Sequence, residues 1–248
     1  MAVQERYGTR LFAPDRAAGP IAQLVLLEVL CRAVGLGPAG WLTGSAFAVG
    51  TWAALTRAVR GSWLRSFGPA NRVTLARATL VGGVTALVAD SFGHRAPVAA
   101  LVGLAVLALL LDAVDGQVAR RTGTATALGA RFDMEVDAFL ILVLCVYVAV
   151  PLGPWVLAIG AMRYLFVAAS WVLPWLRAPL PPSTARKAVA ALQGVVLVAA
   201  GAGIAPRGPA QGAVALALAL LVWSFGRDVG WLWRTRERAA VGGTVPEA

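Results

Sequence analysis

The amino-acid sequence predicts an all-α protein that crosses a membrane several times, and three observations support this fold class. Of its 248 residues, 59% are hydrophobic and only 14% are charged, whereas soluble domains average about 45–50% apolar and about 25% charged residues. The mean hydropathy is +0.74, and the apolar residues fall into runs of roughly the length that a spanning helix requires. The charged residues are concentrated between these runs. This pattern is typical of a polytopic helical bundle.

Eight apolar runs are candidate spans, because about 20 mostly apolar residues in a helix cross the hydrocarbon core. The runs comprise residues 21–36, 40–56, 73–90, 97–114, 132–150, 154–175, 188–204 and 211–231. Glycine and proline lie between them, as at Gly35, Gly37 and Pro38. The first two runs are the weakest, and we expect them to form an apolar hairpin or to lie partly at the interface. The stretch 57–71 mixes arginines with Trp63 and suits an interfacial helix.

Basic residues orient the predicted bundle, because cytoplasmic connections carry an excess of arginine and lysine. Alternate connections hold most of the positive charge, at Arg60, Arg65, Arg72, Arg120, Arg121, Arg131, Arg177, Arg186, Lys187, Arg234, Arg236 and Arg238. These connections and both termini are therefore expected to face the cytoplasm of a bacterial cell membrane. The net charge of +10 follows from this placement. The basic residues do not form a stripe interleaved with aromatic residues, so we expect no nucleic-acid partner.

Acidic residues cluster in one short stretch between two apolar runs. Charged carboxylates near membrane depth cost free energy, so their presence there suggests a function. Asp112 and Asp115 are three residues apart, and Asp133 and Asp137 are four apart, so each pair shares one helix face. Two consecutive helices would bring the four carboxylates together near the cytoplasmic surface. Four such groups repel one another unless some are protonated or a cation lies among them. Oxygen ligands of this kind suit Mg²⁺ or Mn²⁺, above all beside phosphates.

The spacing of this cluster resembles the signature of the CDP-alcohol phosphatidyltransferase family at every fixed position. The matching residues are Asp112, Asp115, Gly116, Ala119, Arg120, Gly129, Asp133 and Asp137. A second segment, with Asn71, Thr74 and Arg77 at three-residue intervals, is similar to the start of the first core helix in many members. A weaker similarity is Lys187 with Gln193. The resemblance extends over roughly residues 71–231 and implies six core transmembrane helices.

The resemblance implies an enzyme that moves a phosphatidyl-type group from a CDP-alcohol, such as CDP-diacylglycerol, to an alcohol with release of CMP. It implies two Mg²⁺ or Mn²⁺ ions held by Asp112, Asp115, Asp133 and Asp137. Asp137 is also implied as the catalytic general base on the acceptor hydroxyl, since a hydroxyl is a poor nucleophile at neutral pH. The implied CDP-binding residues are Asn71, Thr74, Arg77, Gly116, Ala119, Arg120 and Gly129.

The acceptor alcohol is the least determined part of the prediction. Glycerol 3-phosphate is the first candidate, and inositol phosphate or phosphatidylglycerol are alternatives. A phosphorylated acceptor needs a second basic site, for which the candidates are Arg131, Arg163, Arg186 and Lys187. Each of these side chains also has a simpler interpretation as positive-inside charge or snorkelling. Arg163 lies within an apolar run and therefore needs a partner or ligand.

The chain is expected to contain an N-terminal extension (residues 1–70), a catalytic core (71–233) and a disordered cytoplasmic tail (234–248). Homodimers are common in the family, so a homodimer is expected. An ion-binding transporter is the competing class. A transporter predicts charges spread along a path and helices broken near the midplane, whereas these carboxylates gather at one helix-loop-helix end.

Overall fold

The computed structural model describes the backbone of residues 12–60, 69–122 and 127–242, and side chains from residue 18 onwards except residues 55, 58–72, 114–128 and 237–248. All regular structure in these ranges is helical, which confirms the all-α prediction. The α-helices are α1 (Phe12–Val34), α2 (Pro38–Arg60), α3 (Pro69–Asp90), α4 (Val98–Thr122), α5 (Ala127–Leu152), α6 (Leu157–Val172), α7 (Thr184–Gly201) and α8 (Arg207–Gly242). Two short 3-10 helices, Pro154–Val156 and Pro174–Arg177, precede and follow α6.

Among the described residues, five helical stretches are long and apolar enough to cross a membrane. They are Val73–Asp90, Gly129–Leu152, Pro154–Val172, Thr184–Gly201 and Arg207–Arg236. The apolar part of α4 whose side chains are described, Val98–Ala113, is shorter. Helices α1 and α2 do not meet the same criterion over their described residues, as expected for the two weakest runs. The prediction of a polytopic membrane bundle is confirmed, while the number of core helices stays a prediction.

Helix α3 lies at the centre of the first of two compact units, which spans residues 1–143. It packs against α1, α2 and α4, and α1 also packs against α2. Its side chains Val81, Val84 and Leu87 are buried. Close approach relies on small residues, because a Cβ at Gly44 of α2 would lie 2.5 Å from Leu27 of α1. The N-terminal helices thus pack directly on the first predicted core helix.

The connection between α1 and α2 is a tight turn at a glycine. Gly35 has a φ of +74°, in the left-handed region that a Cβ disfavours. Its N–H donates to the carbonyl of Cys31 at 3.0 Å, which satisfies a carbonyl at the helix end. The following Leu36 is buried. The predicted break at Gly35 to Pro38 is therefore present.

The second compact unit spans residues 144–248 and contains the end of α5 with α6, α7 and α8. Helix α7 packs along α8, and buried Gln193 donates from Nε2 to the carbonyl of Ala217 at 2.9 Å. A turn at Gly153, whose φ is +113°, separates α5 from the Pro154–Val156 helix. This unit is a helical hairpin with a polar side-chain link between its two long helices.

The contacts divide the chain into two compact units, and the three-part division stays a prediction. The two compact units meet at residues 143 and 144, inside α5, whereas the sequence predicts a boundary after residue 70, which stays a prediction. Helix α8 continues to Gly242 and includes the first nine residues of the predicted tail. Residues 61–68, which belong to the predicted interfacial helix, and residues 243–248 lie outside the described ranges.

Candidate active site and metal centre

Two consecutive helices of the first unit carry the predicted metal-binding carboxylates. Asp112 lies on α4, and Asp133 and Asp137 lie one helical turn apart on α5. Each offers a carboxylate oxygen, and these three oxygens lie within 4.8 Å of one another. The three side chains are partly exposed, between 28% and 41%. The structure therefore brings together three of the four predicted metal ligands on a surface that a ligand can reach.

A buried arginine lies among these carboxylates. Arg77 projects from α3, and its side chain is only 1% exposed. Nη1 contacts Asp112 Oδ1, while Nη2 contacts Asp133 Oδ1. Nη2 also donates to the backbone carbonyl of Asp133 at 3.2 Å and lies 3.3 Å from Asp137 Oδ1. One guanidinium thus links three helices through three carboxylates.

The neighbouring carboxylates explain why a buried arginine is tolerated at position 77. A buried cation costs several kcal/mol unless anions compensate it, and a planar guanidinium offers five donors for that purpose. Conversely, Asp112, Asp133 and Asp137 carry three negative charges against the one positive charge of Arg77. Carboxylates gathered this closely repel one another, which favours cations at the same place.

The donor set fits a hard divalent ion. Carboxylate oxygens are the protein ligands that Mg²⁺ and Mn²⁺ prefer, and Mg²⁺ is usually held by a few carboxylates together with waters and substrate phosphates. Oxygens within 4.8 Å of one another need only small side-chain rotations to reach a common ion at the usual distance of about 2.1 Å. The partial exposure of the three carboxylates leaves room for the remaining ligands.

The structure describes some of the predicted CDP-binding residues in full and leaves the side-chain positions of the others undescribed. Thr74 lies one turn before Arg77 on α3 and is buried, and Gly129 lies one turn before Asp133 on α5 and is half-buried. These residues border the carboxylate cluster along the two helices. The remaining predicted residues of the donor and metal sites have side chains outside the described set: Asn71, Asp115, Gly116, Ala119 and Arg120.

The four predicted acceptor residues are divided between the two units. Arg131 is exposed on α5, two residues before Asp133. Arg163 on α6 is half-buried, and Lys187 on α7 is exposed. Arg186 is engaged with its own unit, because Nη1 lies 3.0 Å from Asp228 Oδ2 and Nη2 donates to the Pro181 carbonyl at 2.8 Å. Only Arg131 lies in the same unit as the carboxylates.

The sequence did not predict how closely Arg77 is associated with the carboxylates. It places Arg77 near the nucleotide, whereas the structure shows the guanidinium in contact with three predicted metal ligands. One signal was available, since Arg77 is the only charged residue between Arg72 and Asp90. A charge within an apolar helix needs a partner, and after Asp90 the next acidic residues along the chain are Asp112 and the rest of the cluster.

The fold and the site together define an all-helical membrane protein whose carboxylate cluster could hold a divalent metal ion. A family model of the CDP-alcohol phosphatidyltransferases matches residues 68–223, which is more than half of the 248-residue chain. The chain is therefore a member of the CDP-alcohol phosphatidyltransferase family, a family of transferases for substituted phosphate groups. Comparison with curated proteins and comparison with solved structures each found no match.

Membership of this family defines the reaction at the level of substrate classes. The donor is a CDP-alcohol, the acceptor is an alcohol, and the reaction occurs in a membrane environment. The family is in general dependent on divalent metal ions, and the cluster of Asp112, Asp133 and Asp137 fits such an ion. The sequence-based prediction of a membrane phosphatidyltransferase is confirmed at this level.

Proposed function

We propose that the protein is a phospholipid synthase that transfers the phosphatidyl group of CDP-diacylglycerol to a hydroxyl of a small alcohol, with Mg²⁺ or Mn²⁺ at the carboxylate cluster. The observation that carries this proposal is the convergence of Asp112, Asp133 and Asp137 from two helices in a member of this family. The apolar helices support a lipid donor, since its acyl chains remain in the bilayer while its diphosphate reaches the carboxylates.

Four aspartates share the metal-binding role in this proposal, and one of them also handles a proton. Asp112, Asp115, Asp133 and Asp137 would hold two ions, which when bound neutralise the diphosphate and stabilise the leaving oxygen. Asp137 accepts the proton of the acceptor hydroxyl. The acceptor oxygen forms a bond to the phosphorus of the phosphatidyl group, the bond from that phosphorus to the bridging oxygen breaks, and CMP leaves with the electron pair.

The donor is proposed to bind along α3, α4 and the start of α5. Thr74 and Gly129 lie one turn from residues of the cluster, and Gly129 lets the backbone approach a ligand closely. Arg77 stabilises the carboxylates and is close enough to meet a phosphate bound among them. We assign Asn71, Gly116, Ala119 and Arg120 to the same donor site on the basis of their positions in the motifs.

For the acceptor we propose glycerol 3-phosphate, with inositol phosphate and phosphatidylglycerol as alternatives. Arg131, two residues from Asp133 on α5, is the described candidate nearest in the chain to the cluster for binding an acceptor phosphate. Arg163, Arg186 and Lys187 remain proposed contributors. Arg186 would have to share its guanidinium between the acceptor and Asp228. We further propose a homodimer whose active sites face the cytoplasm of a bacterial cell.

Acceptor-dependent CMP release tests this function directly. The protein is purified in detergent with Mg²⁺ or Mn²⁺ and labelled CDP-diacylglycerol, and glycerol 3-phosphate, inositol phosphate, serine and phosphatidylglycerol are offered separately. Release with glycerol 3-phosphate alone is the expected result. Release with another acceptor identifies that acceptor instead, and failure to bind CDP-diacylglycerol contradicts the assigned donor.

Two matched variants of α5 show whether release comes from the proposed site. Asp137→Asn should lower CMP release about 10²- to 10⁴-fold. Glu135→Gln, which neutralises an exposed carboxylate on the same helix outside the three-residue cluster, should retain release. Arg131→Ala should raise the KM for a phosphorylated acceptor and leave the KM for phosphatidylglycerol nearly unchanged. Equal effects of Arg131→Ala on both acceptors would remove Arg131 from the proposed acceptor site.

A further inference from the structure

Two segments of the second compact unit bring tryptophan and arginine side chains together. Trp175 and Arg177 lie in the 3-10 helix that follows α6, and Trp233 and Arg236 lie on the C-terminal part of α8. We name these four residues the Trp–Arg cluster. None of them is a predicted metal, donor or acceptor residue, and the two on α8 follow the family-matched range 68–223. The cluster therefore has no role in the proposed reaction.

Ring contacts hold the two segments of the cluster together. The rings of Trp175 and Trp233 meet edge to face, with centroids 5.4 Å apart and an interplanar angle of 82°. The Arg236 guanidinium lies over the Trp233 ring, with Cζ 5.5 Å from the ring centroid, a distance at which the ring attracts a cation. Arg177 is anchored to α6, because its Nε donates to the Ser170 carbonyl at 2.9 Å. The tryptophan pair thus joins two segments that each present one guanidinium.

The described carboxylates do not balance the charge of these two arginines. The acidic residues of the second unit are Asp228, Glu237 and Glu247. Asp228 lies 3.0 Å from Arg186 and 4.0 Å from Arg227, and the other two acidic side chains lie outside the described set. Among the side chains that the structure describes, no carboxylate forms an ion pair with Arg177 or Arg236, and both arginines are exposed. Their guanidinium groups can therefore donate to an anion.

The position of the cluster along α8 corresponds to the edge of the hydrocarbon core. The residues between Arg207 and Arg227 carry no charge, and they form about 30 Å of helix, which matches the thickness of the hydrocarbon core. Trp233 and Arg236 follow this apolar part, and side chains on a helix lean back toward its N-terminus. Tryptophan is enriched at the level of the lipid headgroups, and arginine is enriched just outside the core. The cluster therefore lies where lipid phosphates are found.

An apolar surface lies next to the cluster in the chain. Trp171 and Val172, in the last turn of α6, are 72% and 79% exposed, and the following Leu173 is 41% exposed. In a membrane protein, exposed side chains of this kind contact acyl chains. Positive charge at headgroup level beside an apolar surface is complementary to a lipid with a net negative headgroup. A zwitterionic lipid is less complementary, because its own cation already balances its phosphate.

We propose that the Trp–Arg cluster binds the phosphate group of an anionic phospholipid from the surrounding bilayer. Arg177 and Arg236 donate to the phosphate oxygens in charge-assisted hydrogen bonds. The Trp233 ring holds the Arg236 guanidinium at headgroup level, and the acyl chains lie against the apolar surface that begins at Trp171. The site belongs to the second unit and is independent of the carboxylate cluster, so it goes beyond the proposed reaction.

Native mass spectrometry of the full-length protein in detergent tests the lipid preference. The protein is titrated with phosphatidylserine and, separately, with phosphatidylcholine of the same acyl chains, and the Kd of the first bound lipid is measured. Phosphatidylserine is anionic and is neither donor nor acceptor in the proposed reaction. Its Kd should be at least about fivefold lower than that of phosphatidylcholine, the effect expected of one basic residue beside an anionic lipid. Equal Kd values for the two lipids would overturn the proposal.

Matched substitutions on α8 distinguish a site from a general attraction between a basic surface and anionic lipid. Arg236→Gln should raise the Kd for phosphatidylserine at least about threefold, and Arg177→Gln should do the same. Arg234→Gln removes an equal charge two residues away, on a different face of the helix, and Arg207→Gln removes one at the opposite end of α8. Each control should change the Kd less than about twofold, because neither arginine belongs to the cluster.

The comparison of Arg236→Gln with Arg234→Gln decides the proposal. Equal effects of these two substitutions would show that the attraction depends on total charge and would refute a defined site. Unfolding temperatures in detergent show whether each variant is folded. If Arg236→Gln does not fold, Arg177→Gln is compared with the same controls, and an unchanged Kd in that folded variant would refute the site.

Discussion

Helix α3 buries a charged side chain at two places, Arg77 and Asp90, and the partners of these two side chains differ in kind. Near one end, Arg77 is 1% exposed and contacts three carboxylates from α4 and α5. At the other end, the side chain of Asp90 is 7% exposed, and His94 Nδ1 lies 3.4 Å from Oδ1, an ion pair only when His94 is protonated. Among the described residues, Asp90 Oδ1 has no hydrogen-bond partner. The two residues are 13 positions apart, or about 20 Å along the helix axis.

This difference indicates that burial alone does not identify a functional site. The number of contacting residues, their distance along the chain and their exposure distinguish the site around Arg77 from the contact at Asp90. Arg77 joins residues that are 35 to 60 positions away in the chain, and its partners are partly exposed and exceed it in charge. Asp90 pairs with a residue four positions away that is 62% exposed. Structural ion pairs are common in proteins. The Arg77 end gathers three partly exposed carboxylates around one guanidinium, and carboxylate oxygens are ligands that a divalent metal ion can use.

The largest expected effect is on the rate of CMP release, and it is the difference between neutralising Asp137 at the carboxylate cluster and neutralising Asp90. Asp137→Asn should lower acceptor-dependent CMP release about 10²- to 10⁴-fold, because a positioned general base contributes that much. Asp90→Asn should change the same rate less than about threefold. Rates measured at saturating CDP-diacylglycerol and Mg²⁺ compare the two variants directly. A large loss in Asp90→Asn with retained folding would break the comparison, because the far end would then take part in the reaction.

The second effect is on stability and concerns the arginine itself. Arg77→Met should destabilise the metal-free protein by about 3–5 kcal/mol, because removal of one partner leaves buried or half-buried charges uncompensated. Mn²⁺ should recover more stability in this variant than in the wild type, since the ion supplies the missing positive charge. Thermal unfolding in detergent, with and without Mn²⁺, measures both quantities. An equal Mn²⁺-dependent shift in the two proteins would show that Arg77 does not balance the metal ligands.

Sequence reasoning succeeded where a property depends on local periodicity. The eight predicted apolar runs each fall on an α-helix, because the length and composition of a run are local. The three-residue and four-residue spacings placed Asp112, Asp133 and Asp137 so that neighbouring helices could bring them together. The metal and donor assignments of individual residues nevertheless stay predictions, because they came from the family motif.

What sequence reasoning did not provide depends on which helices pack against each other. Gln23, Arg77 and Asp90 are all buried, yet nothing in the residues beside them says which distant helix covers them. The same limit applies to the N-terminal helices, because the sequence did not indicate that they pack on α3. Glycines at 44 and 82 make that packing possible, and a glycine in an apolar run does not by itself identify the helix that approaches it.

A third and smaller effect tests the packing around Asp90. A Cβ at Gly37 would lie 2.5 Å from Asp90 Oδ1 and 2.9 Å from His94 Cε1. Gly37→Ala should therefore destabilise the protein by about 1–3 kcal/mol, as overpacking usually does. Gly103→Ala on α4 is the control, because a Cβ there meets nothing within 4 Å and should be neutral or slightly stabilising. Equal unfolding temperatures for the two variants would contradict the close contact.

The smallest effect sharpens the comparison most, because it concerns the weaker of the two ion pairs. His94→Gln should change the free energy of unfolding by less than about 1 kcal/mol, since an ion pair with one exposed partner contributes little. CMP release should also stay within about twofold of wild type. A double-mutant cycle of His94→Gln with Asp90→Asn measures the coupling between the two side chains. A coupling free energy as large as that between Arg77 and its carboxylates would contradict the comparison. A contact between residues four positions apart would then contribute as much as contacts between different helices, and the kind of partner would not distinguish the site at Arg77 from the rest of α3.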